Sequence, residues 1–194
     1  MTLTKEQLKK EKVLSRLIDE IFNATGFDSV NNTDSVNITV GNETSDFDNI
    51  FFYKNKSTII FIERTIRTNS KNRLSDHARK KKDYFKACCD RKQIFLDQLK
   101  SKFPKLRTLL RTYSTNEINL AYIYTSYESL GAHYKKRYSN LHFWDLKQLY
   151  YFFTLASIIK KTARHEIFSF LGIPLQSQNI QSSAIPWNKY RGMI

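Results

Sequence analysis

Apolar residues near the start of the chain recur at helical spacing. They are Val13, Leu14, Leu17, Ile18 and Ile21. Intervals of three and four residues place such side chains on one face of a helix. Gly26 follows as a stop signal. The pattern predicts a helix over residues 5–23.

The next apolar runs are short and predict strands. Residues 49–53 and 57–62 flank the polar turn 54–56, which is the arrangement of a β-hairpin. The second run is apolar almost throughout, so we expect a central strand that is covered on both faces. A shorter alternating piece at residues 36–40 is compatible with an edge strand.

Helical spacing returns after the hairpin. Leu74, Ala78, Phe85 and Cys88 form the apolar face of a helix predicted over residues 70–89. Another helix is predicted over residues 93–103, and residues 118–124 form a further buried strand. This order predicts an α/β fold with a mixed central β-sheet flanked by helices.

The last third of the chain changes character. Residues 143–171 are rich in aromatic residues and show helical spacing without a strand signal, and residues 177–183 form a polar linker. We therefore expect an α/β domain over residues 1–127, followed by a helical C-terminal extension and tail over residues 128–194.

Composition excludes several classes of protein. The chain has 194 residues, of which 14 are Phe and 11 are Tyr, too many for a disordered chain. The two cysteines, Cys88 and Cys89, are adjacent, which excludes a disulfide scaffold and favours the reducing cytoplasm. No apolar run is long enough to span a bilayer. We expect a soluble cytoplasmic protein with no membrane partner.

The charge is strongly positive and unevenly distributed. The net charge is +14, and residues 71–111 hold 14 basic and 4 acidic residues, which is +10 of the total. Such a surplus favours a polyanionic partner, and nucleic acid is the commonest one. A solvated charged helix remains the alternative interpretation.

Two carboxylates are predicted to meet at one end of the hairpin. Asp48 precedes its first strand and Glu63 ends its second. In an antiparallel pair, the start of one strand lies beside the end of the other. Two adjacent carboxylates suit Mg²⁺ or Mn²⁺, and such an ion can activate water against a phosphodiester. The alternative is a capping Asp and a Glu that forms an ion pair with Arg64 or Arg67.

A lysine of the next helix is predicted to face the same place. With Leu74 at zero on a helical wheel, Lys81 falls at about −20°, in the middle of the apolar stripe. A lysine there is costly unless it is paired. Beside the two carboxylates it would have a partner and could serve the attacking water. The alternative is a side chain that extends along the helix to solvent.

These residues resemble the PD-(D/E)XK nuclease superfamily, whose fold is restriction-endonuclease-like. The likeness covers residues 5–127 and rests on Asp48 and the string Phe61-Ile62-Glu63-Arg64-Thr65. It implies that Asp48 and Glu63 bind Mg²⁺ (or Mn²⁺). In the superfamily a lysine two residues after the Glu assists the water, and here that residue is Thr65. Members with a displaced lysine exist, and Lys81 fits that pattern.

The same resemblance implies further roles. The first helix often supplies another acidic ligand, for which Glu20 is the candidate. Four basic residues around the hairpin and the next helix would contact DNA phosphates. They are Arg64, Arg67, Arg79 and Lys80.

A second resemblance is to the amino-terminal region of bacterial DGQHR-domain proteins, which are relatives of proteins associated with DNA phosphorothioation. It rests on five short strings, although the letters DGQHR do not occur. The strings are His77-Ala78-Arg79-Lys80-Lys81, His133-Tyr134-Lys135, Phe143-Trp144-Asp145…Tyr150-Tyr151, Ala163-Arg164 and Phe170-Leu171-Gly172. The likeness implies a part in DNA modification or phage defence. It also implies a further domain, beginning near Ala184-Ile185-Pro186-Trp187.

Two hypotheses therefore stand. The first is a metal-dependent nuclease-like domain that acts on DNA phosphodiesters. The second is a catalytically inactive DNA-binding or assembly module of the same fold, which is motivated by Thr65 in the place of the lysine.

Overall fold

The structure, a computed structural model, describes residues 4–30, 33, 36–68, 73–129 and 142–173. Its helices are α1 (Lys5–Ala24), α2 (Arg73–Asp90), α3 (Lys92–Lys102), α4 (Pro104–Leu109), α5 (Leu146–Ile159) and α6 (Arg164–Phe170). Its strands are β1 (Asp28–Val30), β2 (Ile38–Val40), β3 (Glu43–Ser45), β4 (Asn49–Tyr53), β5 (Thr58–Thr65), β6 (Asn119–Ser126) and β7 (His142–Asp145). The helices and strands predicted up to residue 124 are confirmed, with small shifts at their ends.

Five strands form one mixed sheet in the order β1-β4-β5-β6-β7. The pairs β1–β4 and β4–β5 are antiparallel, whereas β5–β6 and β6–β7 are parallel. The chain therefore has the predicted α/β architecture, with β5 in the centre of the sheet. Residues 38–40 do not join this sheet, because β2 pairs only with β3 in a separate two-stranded ribbon.

Each face of the central sheet is covered by helices. Ile60 and Ile62 of β5 point into a core formed with α1, α5 and α6. Ile59 and Phe61 point the other way, into a core formed with α2, α3, α4 and the β2–β3 ribbon. Because side chains alternate along a strand, Glu63 and Thr65 lie on the second face.

The expectation that residues after 127 contribute no strand is wrong. His142–Asp145 forms β7, which pairs in parallel with β6 and places Phe143 beside Tyr124. Phe143 and Trp144 are consecutive and both buried, on opposite faces of the sheet. In the sequence, two adjacent aromatic residues before a helix look like part of that helix, so the strand is not predicted.

Local capping rules set the ends of the helices. Thr4 and Gln7 form a capping box at the start of α1, and Asp145 and Gln148 form another at the start of α5. Gly26 has φ of 80° just after α1, a conformation that favours glycine.

In the described ranges no helix is long and apolar enough to cross a membrane. The predicted linker at 177–183, the tail motif at 184–187 and the string at 133–135 lie outside the described residues.

Candidate active site

The two predicted carboxylates lie side by side at one end of the hairpin. Asn49 is the register partner of Ile62, and the backbone N–H of Asp48 donates to the carbonyl oxygen of Ile62 over 3.0 Å. This pairing sets Asp48 across from Glu63. Asp48 also accepts a hydrogen bond through Oδ2 from the backbone N–H of Arg64, over 2.5 Å. The spatial prediction from hairpin geometry is therefore confirmed.

A buried phenylalanine fixes the approach to this site. Phe47 is 1% exposed, and its ring centroid lies 4.5 Å from that of Phe61. The rings of Tyr84 and Tyr122 also contact it, at 5.7 and 5.8 Å. Because Phe47 is anchored in the core, its neighbours Asp46 and Asp48 are held at the end of the sheet.

Lys81 of α2 reaches the carboxylates, as the helical wheel predicts. Its Nζ lies 2.7 Å from Oε2 of Glu63 and 3.1 Å from Oδ1 of Asp46. The ammonium also donates to Oγ of Ser45 over 2.9 Å and faces the carbonyl oxygen of Asp46 at 3.2 Å. The side chain is only 11% exposed, so it does not extend to solvent.

The acidity of Glu63 is strongly perturbed. Burial, with a contribution from the neighbouring Asp48 charge, raises the pKa of Glu63 to about 8, although Lys81 acts in the opposite direction. Burial lowers the pKa of Lys81, but Glu63 and Asp46 outweigh it and the net direction is upward. The two groups form one coupled pair, and both hold their protons more strongly in the folded chain than they would in water.

A second chain of contacts leads from Glu63 to Thr65. Nε2 of His77 lies 3.5 Å from Oε1 of Glu63, and Nδ1 of His77 is 2.8 Å from the hydroxyl of Tyr124. Burial lowers the pKa of His77 to about 4, and the positive charges of Arg67 and Lys81 add to this shift. The imidazole is therefore neutral at pH 7. Tyr124 in turn hydrogen-bonds the side chain of Thr65.

Thr65, where the resemblance implies a lysine, hydrogen-bonds its neighbours. Its Oγ1 accepts a hydrogen bond from the backbone N–H of Arg67 over 3.1 Å. A threonine carries no charge, so at this position it supplies none of the electrostatic stabilisation that a lysine gives. Only Lys81 brings an ammonium group to Glu63 among the described residues.

The donor set matches a hard divalent cation in part. Asp48 and Glu63 offer carboxylate oxygens, which Mg²⁺ prefers, and Mg²⁺ commonly retains several waters. The hydroxyl of Tyr122, completely buried, has no hydrogen-bond partner among the described residues and lies within the electrostatic influence of Glu63, Asp48 and Asp46. A buried hydroxyl of this kind is suited to a bound water. Within the described ranges no cluster of three His, Cys, Asp or Glu side chains has metal-ligand geometry.

Glu20, the acidic ligand that the resemblance implies, does not face the other carboxylates. Glu20 is exposed, and its carboxylate accepts a hydrogen bond from Nε of Arg16 over 2.8 Å. The preceding Asp19 is half-buried instead and accepts from the side chain of Asn49 over 3.4 Å. Since adjacent helical residues point about 100° apart, Asp19 faces the strand ends and Glu20 faces solvent.

The four predicted phosphate contacts do not share one environment. Arg64 is a correction to the sequence-based expectation, because its side chain is 11% exposed and its Nη2 lies 3.9 Å from Oδ1 of Asp48. Arg67, Arg79 and Lys80 are exposed. The charges of Arg67 and Lys80 contribute to the shift at His77, so both lie within electrostatic reach of the site.

Sequence reasoning missed Ser45 and Asp46. Their place at the site depends on the packing of the β2–β3 ribbon against α2, which the sequence indicates only weakly. The available signal was the pair of acids at 46 and 48, separated by one large apolar residue.

Comparisons with known proteins add no family. No protein-family model matches the chain, and neither the curated proteins nor the solved structures gave a match.

Proposed function

We propose that this chain is a metal-dependent nuclease-like domain of restriction-endonuclease-like type that acts on DNA phosphodiesters. One observation carries the proposal. Asp48 and Glu63 meet at one end of a hairpin, and the ammonium of Lys81 lies 2.7 Å from Glu63. Paired carboxylates with an adjacent ammonium are the groups that metal-assisted phosphodiester hydrolysis requires.

Each residue would have a defined task. Asp48 and Glu63 would hold Mg²⁺ or Mn²⁺, which supplies Lewis acidity and an acidified water. Lys81 would stabilise negative charge that develops on the phosphoryl oxygens. The neutral His77 would orient Glu63, since its Nε2 faces Oε1 of Glu63 at 3.5 Å and its Nδ1 is held by the hydroxyl of Tyr124 at 2.8 Å. The Tyr122 hydroxyl would donate to a water within the site.

The basic surface supports DNA as the substrate. Residues 71–111 carry +10 of the net charge and include α2, which supplies Lys81. Arg67, Arg79 and Lys80 are exposed cations, and the charges of Arg67 and Lys80 act on His77 beside Glu63. Phosphate contacts of this kind give affinity that falls steeply with salt. The resemblance to the front part of DGQHR-domain proteins adds the proposal of a role in DNA modification or phage defence, with a further domain as partner.

Cleavage of supercoiled plasmid in Mg²⁺ or Mn²⁺ tests the proposal. We expect nicked or linear product from the wild type, and at least about a hundredfold less from Glu63→Gln and from Lys81→Met, as for removal of a charge-stabilising group. Asp97→Asn is the matched control, because Asp97 is exposed on α3 and contacts only Gln93 among the recorded hydrogen bonds of the described residues. Equal cleavage by wild type and Glu63→Gln would refute the proposal.

A second candidate is the same fold without catalysis, as a DNA-binding or assembly module. Two observations favour it: Thr65 stands where the superfamily has its lysine, and burial raises the pKa of Glu63 to about 8, which disfavours the charged ligand. DNA binding with a steep salt dependence, but neither cleavage nor calorimetric metal binding, would select this candidate.

A further inference from the structure

The Lys81 ammonium has more acceptors than it has hydrogens. An ammonium carries three N–H donors. Four oxygen atoms lie within 3.2 Å of Nζ, and they belong to Glu63, Asp46 (side chain and backbone) and Ser45. The donors are therefore saturated by the protein. Loss of one contact would still leave three acceptors for three donors, so Lys81 would act on a phosphate through its positive charge.

The residues that accept hydrogen bonds from Lys81 differ in their exposure and in the other partners that they can bind. Glu63 is 8% exposed and sits across from Asp48, where the proposed function assigns it to a cation. Ser45 ends β3 and Asp46 follows it, so these contacts come from the end of the β2–β3 ribbon. The side chain of Asp46 is 44% exposed, against 8% for that of Glu63. The Glu63 contact is thus the one that another positive charge would compete for.

The ribbon that carries Ser45 and Asp46 is itself fixed to α2 and its neighbours. The hydroxyl of Tyr84, one turn after Lys81, donates to the carbonyl oxygen of Ile38 over 2.9 Å. At the ribbon's turn, Gly41 has φ of 64°, and the guanidinium of Arg91 occupies the space of a Cβ at that position. Two contacts from the helical layer therefore hold the ribbon in register with Lys81.

We propose that Asp46 and Ser45 are positioning residues, which anchor the Lys81 ammonium at the site while Glu63 is engaged by another cation. The inference rests on the proposed function for its purpose, but not for its geometry. The ribbon is then a functional part of the site. When the contact with Glu63 is withdrawn, the three acceptors of Ser45 and Asp46 match the three N–H donors and keep the positive charge in place.

Protection of Lys81 against acylation tests the geometry without DNA or metal. The metal-free protein is treated with acetic anhydride, and labelling is read by peptide mass spectrometry, with the exposed Lys80 and Lys86 of the same helix as internal references. We expect Lys81 to stay protected in Glu63→Gln, within about twofold of wild type. In Glu63→Gln/Asp46→Ala we expect labelling about tenfold faster, the size expected for loss of a charge-assisted hydrogen bond. Ser45→Ala in the same background should have a smaller effect.

Cleavage kinetics supply the functional arm. Asp46→Ala should lower kcat about tenfold with KM unchanged, because the ammonium acts on developing charge. Asp46→Asn, which keeps the Oδ1 acceptor, should retain most of the rate, and Asp97→Asn should match wild type. A kcat unchanged in Asp46→Ala would overturn the inference.

The two arms separate this inference from the proposed function. Lys81 labelled as fast as Lys80 in Glu63→Gln alone overturns the anchoring role, even if the protein cleaves DNA. If neither the wild type nor any variant cleaves DNA, but Lys81 is protected as expected, the anchoring role is supported and only the proposed nuclease activity is refuted.

Discussion

The two faces of the central sheet are built on different principles. On the face of α1 and α5, four aromatic rings form a continuous stack. Phe22 lies 4.5 Å from Phe51 and 6.0 Å from Trp144, and Trp144 lies 4.4 Å from Phe152. On the face of α2, the sheet end carries Glu63, Lys81 and His77 among aromatic neighbours. One face is apolar, whereas the other places ionisable groups inside the fold.

The comparison shows how the cost of a buried charge cluster is met. Removing ionisable groups from water is unfavourable, and a single ion pair seldom offsets the loss. The aromatic face gives stability through the burial of its apolar side chains. The two faces share β5, so the stable face holds in place the strand on which Glu63 lies.

The largest predicted effect is on the aromatic face. Trp144→Ala should lower the free energy of unfolding by about 3–5 kcal/mol, because it leaves a cavity between two stacked rings. Urea denaturation measures this. Tyr151→Ala on the exposed side of α5 is the control and should cost less than about 1 kcal/mol. A loss below 1 kcal/mol for Trp144→Ala would show that the stack does not carry the stability of this face.

A pH effect should come from the charged face. Between pH 6.5 and pH 8 His77 is neutral in the folded chain, where burial lowers its pKa to about 4. In the unfolded chain its pKa of 6.5 leaves it half protonated at the lower end of the range, which opposes the effect of Glu63 only in part. Over that range Glu63, with a raised pKa of about 8, binds a proton in the folded state that the unfolded chain releases. Folded-state stability is therefore lost as the pH rises.

The expected loss is about 1 kcal/mol over this range, because a whole proton corresponds to about 1.4 kcal/mol per pH unit, Glu63 is already half deprotonated at pH 8, and His77 offsets part of the loss. Urea denaturation in EDTA measures it, and Glu63→Gln should abolish the slope while the Asp97→Asn control keeps it. A wild-type stability that rises with pH in EDTA would contradict the assigned burial of Glu63.

The smallest effect concerns the junction of β7 and α5. Asp145→Ala removes a cap whose Oδ1 accepts from the backbone N–H of Gln148 over 3.1 Å, and should cost about 1 kcal/mol. Ser157→Ala, on the exposed side of the same helix, should be nearly neutral. Thermal denaturation resolves the pair. DNA cleavage should be unchanged in both variants. A selective loss of activity in Asp145→Ala would mean that a change at the junction of β7 and α5 affects the site on the α2 face.

The parts of the site that lie on regular elements were predictable from the sequence. A hairpin with a short turn fixes which residues face each other, so the pairing of Asp48 with Glu63 follows from counting. A helix fixes the face of each residue, so Lys81 in an apolar stripe indicates a buried partner. Both predictions need only local periodicity and the register that one turn imposes.

The remainder depends on tertiary contacts that periodicity does not encode. β7 is four residues long and is stabilised by pairing with β6, not by a pattern of its own. Asp46 acquires its role because the β2–β3 ribbon packs on α2. Glu20 faces solvent and pairs with Arg16, which was not predicted because the rotation of a helix about its axis is placed less accurately from a sequence than by the structure.

The most direct test of the central claim is a titration of Mn²⁺ followed by electron paramagnetic resonance, in which the signal of the free aqua ion is lost on binding. The account predicts one site in the wild type and in Asp97→Asn, and loss of that site in Asp48→Asn and in Glu63→Gln. No binding by the wild type, or equal binding by all four proteins, would contradict a metal site at the meeting of Asp48 and Glu63.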